Sequence, residues 1–171
     1  KAEKSFRAMA EIIPERKPRA LLQIADGWRA ARQYERAREL LQDARKEFPA
    51  NRALTILHAT VLAETGATNK GVKVLKGLLD QGPHDHQIYL SIVQIYEKGK
   101  KFEDAIRTIQ KAVATAKTES QKRAVLFVYG SVLERAKRFD EAEKKFRELL
   151  SEDPNNPCKI SNAGRLSLPK H

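Results

Sequence analysis

Tyr34-Glu-Arg-Ala37, Phe102-Glu-Asp-Ala105 and Phe139-Asp-Glu-Ala142 repeat one phrase: an aromatic ring, two polar residues, an alanine. Ala37 and Ala105 stand 68 residues apart, and their midpoint is Gly71 in Thr68-Asn-Lys-Gly71, a weaker copy, so the period is 34. Four residues past each small residue comes a large apolar one: Leu41, Leu75, Ile109 and Phe146. Twelve residues past Ala37, Gly71 and Ala142 comes a proline: Pro49, Pro83 and Pro154. Ala105 reaches Lys117 instead, and three extra residues, Ser120–Lys122, precede the last repeat. Ala2, Phe6 and Pro14 keep the same offsets, so the chain opens inside the second half of an earlier repeat.

The residues between these landmarks predict two amphipathic helices per repeat. Leu21, Ile24, Ala25 and Trp28 share one helical face, and Tyr34, Ala37, Leu41 and Ala44 share another. Ala25, Ala59 and Gly130 are small at the middle of first helices, as Ala37, Gly71, Ala105 and Ala142 are in second helices. Small side chains there let paired axes approach closely. Short polar turns are expected at Arg32-Gln33, Gly66-Ala67 and Lys137-Arg138, and the prolines end the hairpins.

Period, small positions, aromatic and closing proline together resemble the tetratricopeptide repeat (TPR) family. The resemblance covers residues 1–156 and is strongest from Ala124-Val-Leu-Phe-Val-Tyr-Gly130 through Phe139-Asp-Glu-Ala142 to Asp153-Pro-Asn-Asn156. It implies an all-α fold: a right-handed α-solenoid of helix hairpins, about nine helices, with a non-repeat C-terminal tail. Residues 1–17 would hold the second helix of a truncated repeat plus a linker. Four repeats would follow at 18–51, 52–85, 86–122 (with the insertion) and 123–156. The second departs most, with Thr55, His58 and Thr68 where large apolar residues are usual, and is expected to be the softest. The tail, 157–171, has no helical period and reads as disordered or foreign. A sharper alternative folds Ile160, Leu166 and Leu168 back onto an apolar groove.

The 171 residues carry 33 Lys+Arg against 22 Asp+Glu, a net charge of +11. Partitioned by repeat, the surplus is one or two everywhere and three in the tail, which resembles solvated helix surfaces more than a phosphate-binding stripe. One cysteine excludes a disulfide framework and leans towards the cytoplasm, though it also fits a periplasmic protein without disulfides. Apolar runs reach about five residues against the roughly 18 of a membrane span. Residue 1 is Lys, so the sequence reads as a window on a longer chain.

Catalytic residues, metal ligands and cofactors are expected to be absent, since no nucleophile elbow, P-loop or helical ligand pair occurs. His84-Asp-His86 reads as a solvated turn, His58 as a satisfied core histidine, and Cys158 as an incidental thiol.

The resemblance implies a concave face lined by first helices. Its binding positions would be Arg19, Leu22, Gln23, Asp26 and Arg29, then Ile56, Leu57, Thr60 and Glu64. Leu90, Ser91 and Gln94 follow, then Phe127, Val128, Ser131 and Arg135. Some relatives hold a chaperone's C-terminal carboxylate with groove cations. Here neither register supplies them: one offers Leu22, Asp26, Leu57, Gln87 and Ser91, the other Ile56, Thr60, Ser91, Ala124 and Val128. The apolar centres instead suit an amphipathic helix or apolar peptide of a partner protein. The competing readings are a basic solenoid binding nucleic acid and a purely structural spacer, with end-to-end self-association at the cut edges.

Overall fold

Each described element is an α-helix, as three- and four-residue apolar spacing requires. The computed structural model describes residues 16–82 and 85–152. Among them are α1 (Lys17–Ala30), α2 (Tyr34–Glu47), α3 (Arg52–Glu64), α4 (Thr68–Leu79), α5 (His86–Lys98), α6 (Phe102–Thr115), α7 (Glu119–Arg135) and α8 (Phe139–Glu152). The ninth helix expected around Ala2, Phe6 and Pro14, and the tail 157–171, lie outside the described residues.

The chain forms two compact units, Lys1–Gln81 and Gly82–His171. In the first, α1 packs on α2, α2 on α3 and α3 on α4, and α1 also touches α3. In the second, α5, α6, α7 and α8 repeat the scheme, and α5 touches α7. First helices are thus neighbours within each unit.

The 34-residue period is written in the backbone. Arg32, Gly66, Lys100 and Lys137 all take positive φ, at 58°, 83°, 55° and 61°. Each amide bonds back three residues, and the next amide bonds back five: Gln33 to Trp28 O and Ala67 to Leu62 O at 2.8 Å, Lys101 to Tyr96 O at 2.8 Å, Arg138 to Leu133 O at 2.9 Å. This double bond closes the last turn of each first helix with a left-handed residue. The chain then enters the second helix at once, and α2, α4 and α6 begin without a side-chain cap.

Of the first helices, α3, α5 and α7 are capped by side chains, whereas α1 starts after Arg16 without a side-chain cap. Asn51 Oδ1 accepts from Leu54 N at 3.2 Å. Asp85 accepts from Gln87 N at 3.0 Å and Ile88 N at 3.3 Å. Thr118 and Gln121 form a reciprocal capping box. That box shows where the insertion goes. Ser120–Lys122 lie in the first turn of α7, which runs for 17 residues where α3 and α5 have 13. The helix therefore starts at Glu119, ahead of residue 123 where repeat counting begins the fourth unit. Three residues nearly complete one turn, so a helix absorbs them at its solvated end.

Small residues set the axis distance. Ala25, Ala37, Ala59, Ala105 and Ala142 are wholly buried. A Cβ at Gly130 would lie 2.6 Å from Phe146 Cε1, so the ring occupies the space an alanine would need. The first core gathers Ala25, Ala37, Leu41, Ala44, Leu54 and Val61, with Trp28, Tyr34 and Phe48 packed against it. The second gathers Val93, Ile106, Ile109, Val125, Tyr129, Leu133 and Phe146, flanked by Tyr89 and Tyr96.

Polar residues enter the first core as a bonded group. Thr55 and His58 are 3% and 7% exposed. Arg45, on α2, donates from Nε to Thr55 Oγ1 at 3.3 Å and meets His58 Nδ1 at 2.8 Å. A guanidinium only donates, so Nδ1 accepts and the ring proton sits on Nε2. Burial first, then the charges of Arg45 and Arg38, lower the His58 pKa to about 4. Burial also lowers that of Arg45. His58 is thus a satisfied, neutral core histidine.

Candidate protein-binding faces

In the first unit the expected binding residues fall on the touching helices α1 and α3. Arg19 and Gln23 are exposed, while Leu22 and Leu57 are half-buried against the core. Ile56 is half-buried as well, and Thr60 donates its hydroxyl proton to Ile56 O at 3.0 Å. The charges engage one another. Arg29 Nε donates to Asp26 at 2.8 Å, and its Nη1 reaches Glu64 of α3 at 3.1 Å. The bond to Asp26, opposed by burial, raises the Arg29 pKa, and Glu64 adds to the rise.

In the second unit the set falls on α5 and α7. Leu90 and Val128 pack half-buried on the core. Ser91 donates to Gln87 O at 2.9 Å within its own helix. Ser131 is partly buried and Gln94 is exposed. Arg135 of α7 pairs with Glu97 of α5. Phe127 keeps 42% of its surface exposed, and its ring stands 6.2 Å from the buried Phe146 ring, tilted by 57°. It is a large apolar side chain held in place and open to solvent.

A shallow depression of about 640 Å³ is lined by Gln94, Glu97, Lys98, Lys100, Phe102 and Arg135. Lys98, Lys100 and Phe102 were not among the expected binding residues. Their signal is Phe102 itself, which opens the Phe102-Glu-Asp-Ala105 phrase one residue past the turn.

Asp85, between the two histidines of the His84-Asp-His86 run, spends its carboxylate on the α5 cap; His84 lies outside the described residues, as does Cys158. Among the described residues no three His, Cys, Asp or Glu side chains form a metal-holding group. No helix among them is long and apolar enough to cross a membrane.

Two family models described as tetratricopeptide repeat match the chain, at residues 29–89 and 90–157. No curated protein matches it. Similar solved structures include MamA (residues 41 to the end) from Desulfovibrio magneticus RS-1. It is 16% identical with a TM-score of 0.61, over 91% of this chain and 97% of that one. A tetratricopeptide repeat protein from Parabacteroides merdae is 18% identical with a TM-score of 0.66, over 96% of this chain and 64% of that one. The thermophilic TPR protein TTC0263 from Thermus thermophilus is 20% identical with a TM-score of 0.59, over 87% of this chain and 80% of that one. Such proteins are typically non-enzymatic scaffolds. Hairpin geometry, turn spacing and matched models together show that the chain belongs to the tetratricopeptide repeat family, whose fold generally scaffolds protein–protein interactions.

Proposed function

We propose that the first-helix faces bind an amphipathic helix or extended apolar peptide from a partner protein. The observation that carries this reading is Phe127, 42% exposed at a position of the expected binding face and steadied by its contact with Phe146. An exposed aromatic costs solubility unless something covers it, and aromatic anchors dominate protein interfaces. Leu22, Ile56 and Leu57 in the first unit and Leu90 and Val128 in the second give apolar support, being half-buried. Burying such side chains fully contributes about 1.5–3 kcal/mol each. Arg29, Glu64, Glu97 and Arg135 pair among themselves and hold neighbouring first helices in register. In this reading the segments 18–51, 52–85, 86–122 and 123–156 each contribute one hairpin.

Peptide display on the isolated chain supplies the test. Sequences selected on the wild type should be amphipathic or apolar. They should lose binding to Leu57→Glu and Phe127→Glu while circular dichroism shows helicity unchanged. Apolar binding should persist at high salt, whereas phosphate-driven binding weakens steeply. Retained binding by both variants refutes the reading.

A further inference from the structure

Helix α4, Thr-Asn-Lys-Gly-Val-Lys-Val-Leu-Lys-Gly-Leu-Leu from Thr68 to Leu79, is unlike the others. Among the described helices it alone contains no Asp or Glu, yet it carries Lys70, Lys73 and Lys76. All three are exposed, and none makes an ion pair among the described residues. Asp80, at the C-cap, is exposed and leaves Lys76 unpaired. On other helices several exposed cations find acids three or four residues away, as Lys46 finds Asp43 and Arg147 finds Glu143, an arrangement that α4, with no acid of its own, does not allow.

The helix is also poorly made for its own sake. Its N-cap Ala67 makes no side-chain bond, as in the other second helices α2 and α6, but unlike α2, α6 and α8 it has no acid in the first turn. Lys70 instead puts a cation beside the positive end of the helix dipole. Gly71 and Gly77 are weak helix formers. Gly71 is buried, so packing accounts for it, but Gly77 is exposed and a Cβ there would meet nothing within 4 Å. Gly77 is seven residues from Lys70 and four from Lys73, and so shares their face. Bare backbone beside a row of cations permits close approach of another chain. Local choices that weaken a helix without internal compensation mark functional surfaces.

We infer that this α4 face docks an acidic segment of a partner protein. Lys70, Lys73 and Lys76 pair with its carboxylates, and Gly77 lets its backbone close on the helix. Carboxylates fit better than bases or a bilayer. The face has neither Arg nor an aromatic for stacking. Among the described residues the large exposed apolar ones, Phe127 and Phe139, lie on other helices, so α4 has no bilayer anchor. The surface is separate from the first-helix faces and does not depend on their role.

Fluorescence anisotropy of a labelled oligoglutamate peptide on the full chain tests it. Binding should weaken as salt rises. It should fall about tenfold in Lys70→Glu/Lys73→Glu/Lys76→Glu. Glutamate at Lys70 suits the first turn and glutamate at Lys76 opposes the last, so the two dipole effects offset and circular dichroism should show α-helix retained. Gly77→Leu should weaken binding with all three lysines present. Lys111→Glu/Lys117→Glu/Lys137→Glu, an equal change in net charge, and Phe127→Glu should bind as the wild type does. An equal loss in the control triple overturns the proposal. So does an oligothymidylate or phosphatidylserine vesicle binding more tightly than the peptide, or a wild type that does not bind it.

Discussion

Gly130→Ala should destabilise this protein although alanine is the better helix former. Helix propensity favours the change by about 0.8–1 kcal/mol. Packing opposes it. The new methyl would stand 2.6 Å from Phe146 Cε1 and 2.7 Å from Cζ. Carbon atoms rest about 3.5–4.0 Å apart, so the ring must withdraw by about 1 Å. Phe146 is 6% exposed and belongs to the second core, so it has little room to withdraw. Overpacking of this kind costs about 1–3 kcal/mol. Taken at the midpoints of the two ranges, the net expectation is a loss of about 1 kcal/mol. Urea unfolding followed by far-ultraviolet circular dichroism measures it, with Phe146→Leu and the double variant completing a cycle. The smaller side chain should absorb the methyl, so the double variant should be more stable than the two single losses sum to, by about 1 kcal/mol. Gly27→Ala is the internal control: that glycine is exposed and its Cβ would meet nothing within 4 Å. There the same substitution should stabilise by about 0.5–1 kcal/mol. A Gly130→Ala protein as stable as the wild type, or a cycle without coupling, would show that the close approach of α7 and α8 does not rest on this glycine.

Three further outcomes are expected. His58 has a folded pKa of about 4, below its unfolded value, so the stability it contributes is complete above pH 6.5 and drains as pH falls towards 4. The loss should approach about 3 kcal/mol, read by Trp28 fluorescence in urea at pH 7 and pH 4, and His58→Leu should flatten the profile. Replacing Lys100, at φ 55°, with glycine should stabilise by about 0.5–1 kcal/mol, whereas Gly66→Ala, at φ 83°, should cost about 1 kcal/mol in the same assay. Thr118→Ala opens the capping box of α7 and should lower stability by about 1 kcal/mol, with faster amide exchange confined to its first turn.

The hairpins were legible because small residues and aromatics recur where packing leaves no choice. Ala37, Ala105 and Ala142 are fully buried wherever the phrase places them. The turns were legible in position but not in chemistry: Arg32, Lys100 and Lys137 hold a conformation that composition assigns to glycine, and only Gly66 obeys the rule. Counting marks three extra residues before the last repeat without saying what they form, and the structure shows them in the first turn of α7. The helical spacing predicts His58 in the core but does not name its partner, Arg45. That arginine follows Leu41 and Ala44 on the core-facing side of α2, and its half-buried cation is implied by that spacing. On the binding faces, side chains that line a surface and pack against their own core share one spacing, and Leu22, Leu57, Leu90 and Val128 do both. The lysine row was hidden by averaging: the surplus for 52–85 is one, yet three of its four cations stand on α4.

The two ion pairs between neighbouring first helices run in opposite directions. Arg29 and Glu97 stand two periods apart, at equivalent positions, and their partners Glu64 and Arg135 are equivalent once the three inserted residues are counted. The cation therefore comes first in one unit and the anion first in the other. A rearranged gene that joined α1–α2 directly to α7–α8 would set Arg29 against Arg135, and one that placed α5–α6 ahead of α3–α4 would set Glu97 against Glu64. Hairpins that look interchangeable by shape thus carry a polarity that admits one neighbour and repels another.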